Sequence, residues 1–208
     1  MDVKKAYDSW ASQYDSNENK TRDLEAIAIR SILANHLFIN CLEIGCGTGK
    51  NTSWLHTISN NITAIDLSEE MLAKAKVKIQ SDHVHFAIAD ITKDWDFINH
   101  QYDLVTFSLM LEHIEDLELV FKKLANTVMV DGYVYIGELH PFKQYTGSKA
   151  RFETENGLEI VTCFNHHISD FTNAATNNGF AIVSVNEFFD NDDRSQIPRI
   201  LTILLQKI

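Results

Sequence analysis

Only two prolines, Pro141 and Pro198, occur in 208 residues, and no Pro/Gly-rich run divides the chain. With nothing to mark a linker, one domain over residues 1–208 is the economical expectation. Cysteine is as scarce. Cys41, Cys46 and Cys163 are too few and too scattered for a disulfide framework. No His or Cys stands at a zinc-ligand spacing from Cys41 and Cys46, so no metal is expected and the thiols suit a reducing, cytoplasmic setting. No apolar run approaches the ~20 residues that cross a bilayer, and the opening MDVKKAYDSWASQYD lacks the apolar stretch of a signal peptide. Positive charge is the last shortage. Eighteen Lys and Arg face 29 Asp and Glu, a formal net charge of -11. A phosphate backbone is held by clustered Lys and Arg, so nucleic acid is disfavoured as a partner, and a membrane is not expected. The densest basic run, Lys74 to Lys78, reads as the wet face of an amphipathic helix.

What is present is ordinary globular material, 45% hydrophobic and 23% charged. Residues up to about 20 predict a short helix and a polar loop around Tyr7, Trp10 and Tyr14, and Arg22 to Leu37 a longer helix. Apolar runs at Ile39–Ile44, Ile62–Ile65, Val84–Ala89 and Tyr102–Phe107 predict strands, with helices expected over Thr48–Ile58, Met71–Ile79 and Glu115–Thr127. Ser68 is a credible N-cap, with Glu69 and Glu70 in the first turn. Asp131-Gly132 predicts a turn into a strand over Tyr133–Glu138, and residues 140–165 look less regular. A helix over Ile168–Asn178, closed by Gly179, leads to two strands, Phe180–Phe188 and Arg199–Gln206, spaced for an antiparallel pair. Alternating strands and helices predict an α/β fold, a doubly wound parallel sheet with helices on both faces and an antiparallel pair at one edge. Ligands in such folds sit beyond the carboxyl ends of the strands.

The strand ends carry a pattern. Glu43-Ile44-Gly45-Cys46-Gly47-Thr48-Gly49 ends the first strand, Asp66 the second and Asp90 the third, at intervals of 23 and 24 residues. One βα unit per interval puts all three acids on one edge of the sheet. A Walker loop fails because its first glycine falls on Ile44 and its hydroxyl on Asn51. A dinucleotide fingerprint fits in part, with Lys50 where the third glycine belongs. A nicotinamide-dependent oxidoreductase is therefore the second reading.

The motifs CLEIGCGTGKNT, TAIDLSEEML, FAIADI, YDLVTFSLMLEHIED and DGYVYIGELH resemble those of the class I S-adenosylmethionine-dependent methyltransferases, and nearly the whole chain takes part. The small-molecule enzymes of quinone biosynthesis look most similar. The resemblance implies a Rossmann-like, mostly parallel seven-stranded sheet whose last strand is antiparallel. It implies S-adenosyl-L-methionine as cofactor and a small-molecule acceptor. The glycine loop (Gly45, Cys46, Gly47, Thr48, Gly49) is then expected along the amino acid and ribose parts, with Glu43 behind it. Asp66, beside Leu67, is expected on the ribose hydroxyls and Asp90 on the adenine amine, with Met71 and Ile91 as walls. Ser108 and Tyr14 complete the expected cofactor set. Residues 1–22 resemble a segment that folds over the cofactor, and 141–165 is expected on the substrate side. An inactive S-adenosylmethionine-binding module would carry the same binding residues.

A sulfonium methyl is already electrophilic, so a base is needed only for a protonated nucleophile. His113, after the fourth strand, and His140, after the fifth, are the candidates. His166 and His167 read as surface or hinge residues, and Tyr145 and Arg151 as parts of a solvated loop.

Overall fold

The computed structural model describes residues 2–154 and 157–208; Met1, Glu155 and Asn156, inside the two segments expected to cover the site, lie outside them. In chain order the elements are α1 (Val3–Trp10), α2 (Lys20–Leu33), β1 (Phe38–Ile44), α3 (Thr52–Leu55), β2 (Ser59–Asp66), α4 (Glu69–Lys78), β3 (Val84–Ile88) and β4 (Tyr102–Ser108). There follow α5 (Leu117–Thr127), β5 (Val128–Leu139), α6 (Pro141–Tyr145), β6 (Arg151–Thr154), β7 (Gly157–Ile160), α7 (Ile168–Asn177), β8 (Phe180–Phe188) and β9 (Ile200–Lys207).

Seven strands form one sheet in the order β3-β2-β1-β4-β5-β9-β8, and β6 pairs with β7 in a separate hairpin. β1 to β5 run parallel, and β9 is antiparallel to both β5 and β8. This is the expected doubly wound class. The chain passes from the edge strand β3 back across β2 and β1 to β4, so strand order reverses between β1 and β4. That is where such sheets open a crevice.

Side-chain alternation along β1 divides the core. Leu42 and Ile44 join Phe107, Phe121, Ile136 and Phe171 beneath α5 and α7, while Cys41 joins Ile29, Leu55, Leu72 and Tyr135 beneath α2, α3 and α4. Successive residues of a strand point to opposite faces, so one apolar run serves both layers. A third cluster ties α1 down: Ala6, Trp10 and Ala11 pack with Met71 of α4 and with Val161.

The departures from expectation have local causes. α2 starts at Lys20 because the Asn19 side chain accepts from the Thr21 and Arg22 amides, each at 3.0 Å. The helix expected over Thr48–Ile58 shrinks to four residues, since Gly47 and Gly49 adopt left-handed φ of 54° and 81° and hold the preceding loop out of helical form. Asp131, at φ 64°, makes no free turn. It lies in a bulge of β5, where the register against β4 shifts between Tyr102 and Leu104. The stretch after His140 is more regular than its sequence suggests, with Pro141 opening α6 and a hairpin following.

Candidate active site

In the sheet register, Ile44 of β1 lies opposite Ile65 of β2 and Phe107 of β4, and Ser108 lies opposite Gly137 of β5. The carboxyl ends of the central strands are thus level. A cavity of about 290 Å³ opens there, with Val3, Lys4 and Tyr7 of α1 forming part of its wall.

Nine of the expected site residues line this cavity. Gly45, Gly47, Asp66 and Leu67 come from the first two strand ends, Asp90 and Ile91 from the third. Ser108, His113 and Tyr14 complete the group. The others do different work. Glu43 is buried and its Oε2 accepts from the Thr52 hydroxyl at 2.5 Å. Thr48 donates to Asp15 at 2.6 Å and so ties the N-terminal segment to the loop. Met71 packs against α1, and Cys46 is buried in the core face that holds α3. His140 corrects an expectation. It is fully buried, its Nδ1 accepts the Phe142 amide at 3.2 Å as the cap of α6, and its Nε2 meets Glu187 at 3.1 Å. It lines neither this cavity nor the second one described below.

Two glycines show why the loop needs them. At Gly45 (φ 77°) a Cβ would lie 3.0 Å from Met110 Cβ, and the amides of Gly45 and Cys46 both reach the Ile65 carbonyl, at 2.9 and 3.0 Å. At Gly49 (φ 81°) a Cβ would stand 2.8 Å from Ile79 and 3.3 Å from Ala75. The last glycine therefore seats the loop on α4 and does not face the cavity.

Asp66 is held by backbone. Its Oδ2 accepts from Gly47 N at 2.8 Å and its Oδ1 from Ser68 N at 2.9 Å. Burial pushes its pKa up, and these amides pull it back. Asp90 Oδ1 accepts from the Thr92 amide and hydroxyl, at 2.9 and 2.6 Å. Ser108 donates to Glu25 at 2.8 Å.

The Tyr7–His113 contact lies outside what the sequence signals, since 106 residues separate the pair. Tyr7 OH and His113 Nε2 are 2.8 Å apart, and His113 Nδ1 is 2.8 Å from the Thr162 carbonyl. A carbonyl only accepts, so Nδ1 carries the proton and the neutral ring's Nε2 accepts from Tyr7. Glu112, His113 and Cys163 bring ligand atoms within 4.8 Å of one another. Both imidazole nitrogens are already committed, and burial pushes the Cys163 thiol up to about 12, so the trio is poorly suited to a metal. His166 is also corrected: it is buried, and its Nε2 donates to the Ile114 carbonyl at 2.7 Å.

Behind the cavity stand buried carboxylates. Burial pushes Glu43 up to about 8, aided by Glu25 and Asp66, although Thr52 opposes it. It pushes Glu138 up to about 8 as well, aided by Glu112 and Glu25 against the Leu111 and Met110 amides. The folded chain then holds more protons than the unfolded one between 4.5, the ordinary value, and about 8. Stability from these groups is greatest at the acid side of that window and is lost as pH rises through it. The melting temperature is expected to fall between pH 7 and 8.5, and less steeply in Glu43→Gln, by differential scanning calorimetry.

A family model described as a methyltransferase domain matches residues 42–136, the span from β1 to β5. The demethylmenaquinone methyltransferase of Leptospira interrogans is 28% identical over 131 residues, 55% of this chain and 51% of the relative. The chain spans about half the length of the curated relatives it matches. Among solved structures, an S-adenosylmethionine dependent methyltransferase from Listeria monocytogenes superposes with a TM-score of 0.76 at 23% identity, covering 89% of this chain and 99% of the other. The DhpI-SAM-HEP complex superposes with a TM-score of 0.74 at 25% identity, covering 96% and 93%.

Proposed function

We propose that this chain is a class I S-adenosylmethionine-dependent methyltransferase, as its methyltransferase-domain match and its fold support, and that it moves a methyl group from S-adenosylmethionine to a small-molecule acceptor. The observation that carries this is the cavity at the strand-order reversal, where Asp66 and the side-chain-free Gly45 meet.

The residues fit such a cofactor. Gly45 leaves space beside Met110 that a Cβ would fill. Asp66 offers a carboxylate for the ribose hydroxyls, and Leu67, Ile91 and Asp90 offer apolar walls and an acceptor for the adenine. Tyr14 stands for the methionine end. A dinucleotide fits less well, because the Asp66 carboxylate already occupies the Gly47 amide and sets negative charge where a pyrophosphate needs donors. Glu43, Thr48, Gly49 and Met71 act behind the site, by holding α3, the N-terminal segment, the loop on α4, and α1.

The cofactor supplies an electrophilic sulfonium methyl when bound. The chain's main task is to orient the nucleophile, an effect worth about 7–11 kcal/mol at its upper range. Where the acceptor arrives protonated, Tyr7 takes its proton while giving its own to His113 Nε2. Thr162 O steadies the resulting imidazolium through Nδ1–H. Residues 1–22 act as a cover, latched by Asp8 to Ser68 and Asp15 to Thr48, each at 2.6 Å. The chain is read as cytoplasmic on its three unpaired cysteines; among the described residues no helix is long and apolar enough to cross a membrane.

The test is calorimetric titration with S-adenosylhomocysteine, S-adenosylmethionine and NAD(H) in parallel, followed by a labelled-methyl transfer screen. Micromolar binding of the adenosyl compounds and a labelled product are expected. Binding of NAD(H) alone would move the chain to the oxidoreductases. Adenosyl binding without any transfer across a broad screen would make it a sensor or partner-binding module.

A further inference from the structure

A second cavity, of about 260 Å³, shares Tyr7, Tyr14 and Leu109 with the first. Its lining has an unusual charge for this molecule. Arg22, Lys149, Arg151 and Arg199 all contribute to it, while among the described residues its only lining acid is Glu112. Four of the chain's 18 basic residues thus meet in one small cavity of a protein carrying 29 acids.

Among the described residues, three of these cations lack a carboxylate partner. Arg199 is paired, its Nε and Nη2 each 2.6 Å from the two oxygens of Asp190. Arg22 is not. Its Nη1 donates to the Tyr14 carbonyl and its Nη2 to that of Asn17, and its Nε is buried with no partner among the described residues. The guanidinium also lies over the Tyr14 ring, 4.1 Å from the centroid, which fixes its plane beside the wall common to both cavities. Lys149 and Arg151 are exposed and form no ion pair among the described residues. Glu112 is buried, and that burial pushes its pKa up from the ordinary carboxylate value. Placing unpaired cations around a concavity leaves their field uncompensated until an anion enters, and the walls focus that field.

We infer that this cavity receives the methyl acceptor and that the acceptor carries an anionic oxygen group, a carboxylate or a phosphate. The group is held by Arg22, Lys149 and Arg151 while the nucleophile reaches past Tyr7 and Tyr14 toward the first cavity. This rests on the methyltransferase reading and adds the substrate class to it. The volume suits a small acceptor, being just below the ~300 Å³ at which drug-sized pockets begin.

The experiment uses the full chain saturated with S-adenosylhomocysteine. Calorimetry follows the binding of aromatic and aliphatic carboxylates and phosphate monoesters, each matched with its uncharged amide or alcohol. At least one acid is expected to bind about tenfold or more tighter than its neutral partner, the size of charge-assisted hydrogen bonds. The carboxylate and phosphate arms identify which oxyanion is preferred. Lys149→Gln/Arg151→Gln, two exposed positions, is expected to remove that preference and leave S-adenosylhomocysteine affinity within about threefold of the parent. Arg22→Gln is expected to act in the same direction. If no acid binds, or acids and neutral partners bind alike while S-adenosylhomocysteine still binds, the inference is overturned. If S-adenosylhomocysteine itself does not bind, the methyltransferase reading falls and takes this one with it.

Discussion

Replacing Asp66 by alanine is expected to weaken S-adenosylhomocysteine binding by about 10²–10⁴-fold. The carboxylate ends β2 on the cavity wall, and a hydrogen bond to a charged group contributes about 1.5–3 kcal/mol. Two such bonds to the ribose give the stated range. Alanine also strips the Gly47 and Ser68 amides of their acceptor, which loosens the loop that the cofactor lies along. Asp66→Asn separates the two effects. It keeps one acceptor oxygen and nearly the same shape, so its loss should be smaller, about 10–100-fold. Calorimetric Kd values, with melting temperatures to check folding, decide the matter. An alanine variant within threefold of the parent would show that the ribose is anchored elsewhere.

The second large effect concerns Tyr7 and His113. For an acceptor that arrives protonated, His113→Gln or Tyr7→Phe is expected to lower kcat by about 10²–10⁴-fold, the ordinary worth of a positioned base. KM for S-adenosylmethionine should stay within about threefold. The two residues form one relay through the 2.8 Å contact, so the double variant should be little worse than either single one. A pH–rate profile adds a readout that packing alone does not move: its shape should differ between the parent and His113→Gln. Fully additive losses, or a profile of unchanged shape, would assign the pair a packing role.

The sequence told much about the frame and less about the direction of side chains. Strand ends can be read because an apolar run stops where an acid begins, which located Asp66 and Asp90 on the cavity. The same rule placed Glu43 and His140 near it, yet both turn away. Glu43 follows Cys41 to the face of the sheet that holds α3. His140 is drawn off by capping α6 and by Glu187. Contiguity misleads in the glycine loop too, where Gly45 and Gly47 face the cavity while Gly49 packs on α4. Tyr7 went unassigned because its partner is a tertiary one. Arg151, read as part of a solvated loop, gains a neighbourhood only when α2 and the hairpin come together around the second cavity. Local periodicity carries no information about such meetings.

The position of β9 has a consequence for how the chain is made. It lies between β5 and β8 and pairs with both, yet it leaves the ribosome after every other strand of the sheet. Until it arrives, β5 presents an open edge and β8 has no neighbour in the sheet. The β1-to-β5 layer can assemble during synthesis, whereas the final third of the sheet closes late and by a long-range contact, which is slow. During that interval the growing chain displays an unpaired strand, a template for wrong association. Conditions that stall synthesis near residue 200 should therefore yield aggregates more readily than stalls before β5 begins.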